Sequence, residues 1–170
     1  LVLFSDEAVI SFGRSRVEDR PEGEVIGAEQ VQRRIRAGTP MFSATSHSIH
    51  IEVEPTFLAE QSEPEQDYFV WAYHVIIENR GDKTVQLRAR HWRITDAAGR
   101  QHEVRGPGVV GEQPVLKPGE CFEYTSGTPL ATPFGIMFGT YEMETDKGEK
   151  LEVSIPAFSL DCPFGSQLPN

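Results

Sequence analysis

The run from Tyr68 to Asn79, YFVWAYHVIIEN, constrains the fold more than any other part of the chain. Phe69, Trp71, Tyr73, Val75 and Ile77 recur at period two, so one face of an extended strand carries only large apolar side chains. Fully burying each such side chain is worth ~1.5 to 3 kcal/mol, so a second layer of structure must cover that face.

The remaining segments supply more strands. Ile49, Ile51 and Val53 alternate with His50, Glu52 and Glu54, a half-buried pattern. Glu60 to Asp67 (EQSEPEQD) is polar, contains proline and reads as a loop. After the turn residues Asn79 to Asp82, Thr84 to Thr95 returns as a strand whose inward set changes from Val85 and Leu87 to Trp92 and Ile94. An unbroken strand keeps one parity, so this switch predicts a β-bulge between Leu87 and Trp92. Asp96 to Gly99 turns into a short strand at Arg100 to Val104, and a glycine- and proline-rich loop covers Arg105 to Glu120, closing on the type II turn signal Lys117 to Glu120. Cys121 to Ser126, Ile136 to Thr145 and Lys150 to Ile155 complete the set, with Pro129 and Pro133 breaking one connection and Asp146 to Gly148 forming the last turn. About seven short strands, with no helix pattern after residue 40, predict an all-β, antiparallel two-sheet sandwich.

With 170 residues there is room for one such domain and tails. Composition changes at Gly38-Thr39-Pro40, which divides an N-terminal extension (1–40) from the patterned domain (41–163) and a C-terminal tail (164–170). Within the extension, Glu24 to Arg36 has the spacing of a short amphipathic helix. Met41 opens the patterned region and is the expected translation start, with residues 1 to 40 a leader or upstream sequence. N-terminal sequencing of the native protein tests this, and a native chain starting upstream of Met41 would refute it.

A net charge of -10 argues against non-specific binding to nucleic acid or anionic membranes, both of which need a basic surface. Asp6 and Glu7 interrupt the apolar start of the chain, so it does not read as a signal peptide, and no stretch approaches the ~20 apolar residues of a membrane span. A cytoplasmic location follows as the expectation, with Cys121 and Cys162 as thiols rather than a disulfide.

The runs VQLRARHWRITDAAG (Val85 to Gly99), EVRGPGVVGEQPVLKPGE (Glu103 to Glu120), YTSG (Tyr124 to Gly127), GTYEM (Gly139 to Met143) and IPAFSL (Ile155 to Leu160) resemble the bacterial ApaG family. The resemblance runs from Met41 to about Pro163 and has no counterpart for residues 1 to 40. It implies a fibronectin-III/immunoglobulin-like sandwich and a domain shared with some F-box proteins and a polymerase-delta-interacting protein, where it serves protein interaction. It also carries an association with cobalt and magnesium resistance.

Gly106-Pro107-Gly108-Val109-Val110-Gly111 fits G-x-G-x-x-G, but Pro114 and Pro118 forbid the helix that a dinucleotide fingerprint opens. The glycines are expected to serve a tight crossing; the functional alternative is a nest of N–H groups that holds a phosphate. Arg88 and Arg90 would share one face if the bulge lies beyond them and, with Arg105, could join Gly106, Gly108 and Gly111 around an anion; otherwise they are a solvated face paired with carboxylates. His91, Trp92, Val109 and Val110 are the candidate partner-facing patch. His47 and His50 diverge if they share a strand, His74, His91 and His102 stand singly, and no spacing fits a transition-metal site, so no metal or cofactor is expected. Thr125-Ser126-Gly127 lacks the setting of a nucleophile turn, and no catalytic residue is assigned.

Two functions remain open on the sequence. One is a non-catalytic accessory domain that binds another protein, with dimerisation through an edge strand also open. The other is a binder of pyrophosphate, nucleotide or divalent cation.

Overall fold

The computed structural model describes residues 40–164 and, upstream, the backbone pairing of Ser15–Arg16. Ten strands are described: β1 (Ser15–Arg16), β2 (Phe42–Ser46), β3 (Ile49–Phe57), β4 (Phe69–Asn79), β5 (Val85–Asp96), β6 (Gln101–Pro107), β7 (Val115–Leu116), β8 (Cys121–Leu130), β9 (Phe134–Thr145) and β10 (Lys150–Asp161). They form two antiparallel sheets, β1-β8-β4-β3-β2 and β10-β9-β5-β6, with β7 pairing the start of β5. β10 lies across β2 and β3 of the first sheet, and the inner faces enclose one core. No helix among the described residues is long and apolar enough to cross a membrane. The suggested helix at Glu24 to Arg36, the suggested start at Met41 as a boundary with residues 1–39, and the tail beyond Phe164 lie outside the described residues.

The long β4 forms as its periodicity requires, with Trp71 1%, Val75 0% and Ile77 0% exposed. Several strands run further than their sequence signals. Pro129 lies inside β8 opposite Val70, whose own N–H and C=O bond to Ser62 Oγ and Leu58 N, so no ladder bond is lost where proline lacks a donor. Pro156 lies inside β10 at a register shift between Ile155 and Phe158, where proline is tolerated for the same reason. Arg105, Gly106 and Pro107, expected in a loop, extend β6 along β5. β2 and β3 are joined by His47 and Ser48, both at positive φ (50° and 61°), the geometry of a two-residue hairpin turn built without glycine or asparagine.

Aromatic rings from both sheets fill the centre. Trp92 meets Tyr73, Tyr141 and Phe158 at centroid separations of 5.3, 6.2 and 6.1 Å, and Trp71 Nε1 donates to Asp161 O at 3.2 Å, tying β4 to β10.

Polar side chains pin the turns. The Asp96 carboxylate, 2% exposed, accepts from Ala98 N (2.9 Å), Arg100 N (3.0 Å) and Arg100 Nε (2.7 Å), closing the β5–β6 hairpin. Burial pushes its pKa up, but the Arg100 and Ala98 hydrogen bonds outweigh that and hold it below the ordinary value of 3.8. A depressed carboxyl binds more protons unfolded than folded, so its stabilisation is complete above the unfolded pKa and is lost as pH falls through the folded one. Asp96→Asn, which loses the charged bond to Arg100, is expected to cost about 1.5 to 3 kcal/mol at neutral pH. The difference from the parent should shrink below pH of about 4. Urea unfolding at both pH values checks it; a pH-independent difference would contradict the assignment.

Candidate functional site

The bulge in β5 decides where the arginines go. Leu87 pairs with Met143 and Ala89 with Glu142, leaving Arg88 as the extra residue. Parity therefore reverses between Arg88 and Arg90, and the two point to opposite faces, which corrects the expectation that they share one. Arg88 faces outward, 3.5 Å from Glu144 Oε2 and 3.4 Å from Gln113 Oε1. Arg90 pairs across the sheet with the wholly buried Tyr141 and Gly106, so its side chain enters the sandwich. There Nη1 donates to Pro107 O and Gly108 O, both at 3.0 Å. Arg105 lies on the outer face, 68% exposed and 3.5 Å from Glu103. The three guanidiniums do not gather round one point.

The glycine motif folds against β5 in a conformation that uses its own groups. Gly108 N donates to Arg88 O (2.8 Å), and Val109 and Glu112 exchange N–H to O bonds at 2.8 and 2.9 Å around Val110 and Gly111, both at positive φ. A Cβ on Gly108 would lie 2.2 Å from the backbone oxygen of Glu112, so Gly108 serves close approach, whereas one on Gly106 would lie 3.0 Å from Arg90 Nη1, the end of a side chain that could shift to admit it. Gly111 has open space and only its φ of 77° to explain it. The bonds of Gly108 and Val109 are directed into neighbouring backbone rather than converging as an anion nest.

Arg90 faces a polar island in the core. Tyr73 is hydrogen-bonded to Ser126, and Tyr124 is bonded hydroxyl to hydroxyl with Tyr141 across the two sheets. Burial pushes all three phenols above the usual tyrosine range, and the Arg90 charge only partly offsets it, so they are neutral hydroxyls at physiological pH. Removing one hydroxyl strands its buried partner, whereas removing both leaves nothing to satisfy. Tyr141→Phe is expected to cost about 1 to 3 kcal/mol, and the double change with Tyr124→Phe to cost no more than the single one. Additive losses in denaturant unfolding would contradict a shared bond.

Trp92 and Val109, expected on a partner-facing patch, are 2% and 0% exposed. The first belongs to the aromatic core and the second is drawn inward by its bonds to Glu112. Val110 packs partly buried against the same core. Of the four, His91 alone reaches the outer face of the second sheet, where its Nε2 lies 3.2 Å from Glu103.

That outer face holds the apolar surface that sequence reasoning missed. Phe134, Ile136 and Phe138 on β9 are 54%, 53% and 36% exposed, consecutive on one face of an inner strand. β9 is apolar on both faces up to Phe138, so hydrophobicity alone cannot orient it. The signal lay further on: Tyr141 and Met143 are inward and Glu142 and Glu144 outward, and the same parity traced back turns Phe134, Ile136 and Phe138 to solvent. Beside the stripe, β5 places Arg93 opposite Phe138 and Thr95 opposite Ile136. The next strand adds Glu103 and Arg105. Glu103 is shared by His91, Arg93 (3.7 Å) and Arg105 (3.5 Å), and a hydrogen bond from His91, followed by the two arginines, holds its carboxyl below the usual range. On the other side stand Ala157, Ser159 and Asp161 of β10.

Of the remaining histidines, His102 lies on β6 of the second sheet and the other three along the first. His47 sits in the β2–β3 turn, His50 bonds Thr45 and Glu52, and His74 bonds Thr125 and Glu123. Among the described residues no group of three or more His, Cys, Asp or Glu could hold a metal ion.

Residues 59–145 match the model of a family described as the ApaG domain. The "Protein ApaG" of Parvibaculum lavamentivorans is 70% identical over 128 residues, covering 75% of this chain and 98% of the relative. That of Rhodospirillum centenum is 65% identical over 130 residues, 76% of this chain and 100% of the relative. Among solved structures, the crystal structure of an ApaA protein from Bordetella pertussis is similar at TM-score 0.66 and 50% identity, covering 68% of this chain and 94% of that one.

Proposed function

The chain belongs to the ApaG family, and from that premise we propose that it is a non-catalytic interaction domain which binds another protein through the outer face of its second sheet. One observation carries the reading: three large apolar side chains, Phe134, Ile136 and Phe138, stand exposed in a row on a strand paired on both sides. Single exposed apolar residues are ordinary, but a contiguous row on a rigid sheet costs solubility and suits a binding surface. A cytoplasmic setting accords with Cys121 and Cys162, neither of which is in a disulfide. Binding of phosphate or a divalent cation draws less support, because Arg90 turns inward while Arg88 and Arg105 lie on the outer face against different carboxylates, and the motif's backbone bonds to itself and to β5.

The test compares the full chain with its Phe134→Thr/Ile136→Thr/Phe138→Thr variant as baits in native cell extract. The reading expects proteins retained by the parent to be lost at least roughly tenfold from the variant, with stability changed by no more than about 0.5 kcal/mol per exposed site. Equal retention by both baits would remove it.

A further inference from the structure

The charges beside the stripe are unlike those of the whole chain, which carries a net charge of -10. On the β5–β6 flank, Arg93 and Arg105 have side chains 51% and 68% exposed, with His91 beside them and, among the described residues, Glu103 as the carboxylate that all three share. One carboxylate cannot neutralise two guanidiniums, so this flank presents a positive potential to anything laid on the apolar row. Arg93 is the direct cross-strand neighbour of Phe138, which puts their Cβ atoms about 4.5 to 5.5 Å apart. The β10 flank offers Ala157 and Ser159 and reaches an acidic group only at Asp161, beside Phe134. The row from Phe134 to Phe138 spans five residues of extended chain, roughly 13 Å from first to last.

We infer that the partner is an acidic protein segment carrying large apolar side chains, which lies along β9 with those side chains on Phe134, Ile136 and Phe138 and its carboxylates over Arg93 and Arg105. The inference rests on the interaction reading above. An apolar stretch of roughly 13 Å matches anchors at alternate residues of a strand or two turns of a helix. Carboxylates toward β5 and β6 gain charge-assisted bonds from half-exposed guanidiniums that Glu103 engages only at 3.5 Å or more. An anionic membrane is disfavoured by the chain's overall negative charge and by a row that lies flat on a sheet rather than on a protruding loop.

Random peptides displayed on phage, selected in parallel on the full chain, on Arg93→Glu/Arg105→Glu and on Ile136→Thr/Phe138→Thr, test it. The expected peptides are net negative with at least a pair of large apolar residues, and both variants weaken them by roughly tenfold or more. Their binding should also fall as salt rises from about 0.1 M to about 1 M, which shortens the screening length from about 10 Å to about 3 Å. Peptides that are neutral or basic, or that ignore the charge reversal yet fail on Ile136→Thr/Phe138→Thr, overturn the acidic partner and leave the docking face standing. Binding insensitive to both variants, no enrichment at all, or Ile136-dependent binding to anionic lipid vesicles overturns both.

Discussion

Gly139→Ala is expected to leave the domain largely unfolded. A Cβ at Gly139 would lie 2.1 Å from the carbonyl oxygen of His91 and 3.2 Å from Trp92 Cα, on the neighbouring strand β5. The obstacle is backbone, in the middle of the second sheet, so relief requires β5 and β9 to separate where Trp92 and Tyr141 pack. A loss above about 4 kcal/mol is expected, at the upper end of what single substitutions do. Gly148→Ala is the control. Gly148 has a φ of 80° and open space around it, so its cost is conformational and should be about 1 kcal/mol. Thermal unfolding of both variants decides the matter, and a Gly139→Ala protein melting near the parent would show that the strands do not meet so closely.

The second large effect is expected at Asn79, which is 1% exposed at the end of β4. Its Nδ2 donates to Lys83 O (2.8 Å) and Leu116 O (3.0 Å), and its Oδ1 accepts from Gly81 N (3.0 Å), so one amide holds the β4–β5 turn against β7. Asn79→Asp keeps the shape and replaces the two donors with lone pairs facing two carbonyls. A buried carboxylate so placed should cost about 3 kcal/mol or more at pH 7. Its folded pKa would be raised, so the cost should ease as pH falls through that value, opposite in sign to the behaviour expected of Asp96. Urea unfolding at pH 7 and in mild acid measures both, and a variant equally stable at the two would contradict the amide's role.

Asn79 also shows how far the sequence could be read. It was legible as a turn residue but not as a clamp, because Leu116 comes close only once β7 pairs with β5. β4 and the bulge in β5 were legible because period two is a local property. The consequence of the bulge for Arg90 was not, since its exact position, at Arg88 rather than beyond Arg90, reverses which face that arginine takes. His47, Ser48 and Val110 are non-glycine residues at positive φ, and no turn signature in the sequence marks those positions. Trp92 illustrates the opposite error. Its residue type suggested a binding hot spot, while its parity with Ile94 already placed it in the core.

The most direct test of the account places a photo-crosslinking amino acid at position 136 of the full chain in living cells, with position 147, in the exposed β9–β10 turn, as the control. The account predicts discrete adducts with protein from position 136, lost when Phe134 and Phe138 are replaced by threonine, and none of the same mass from position 147. Identical adducts from both positions, or none from position 136, would contradict an outward face built to receive a partner.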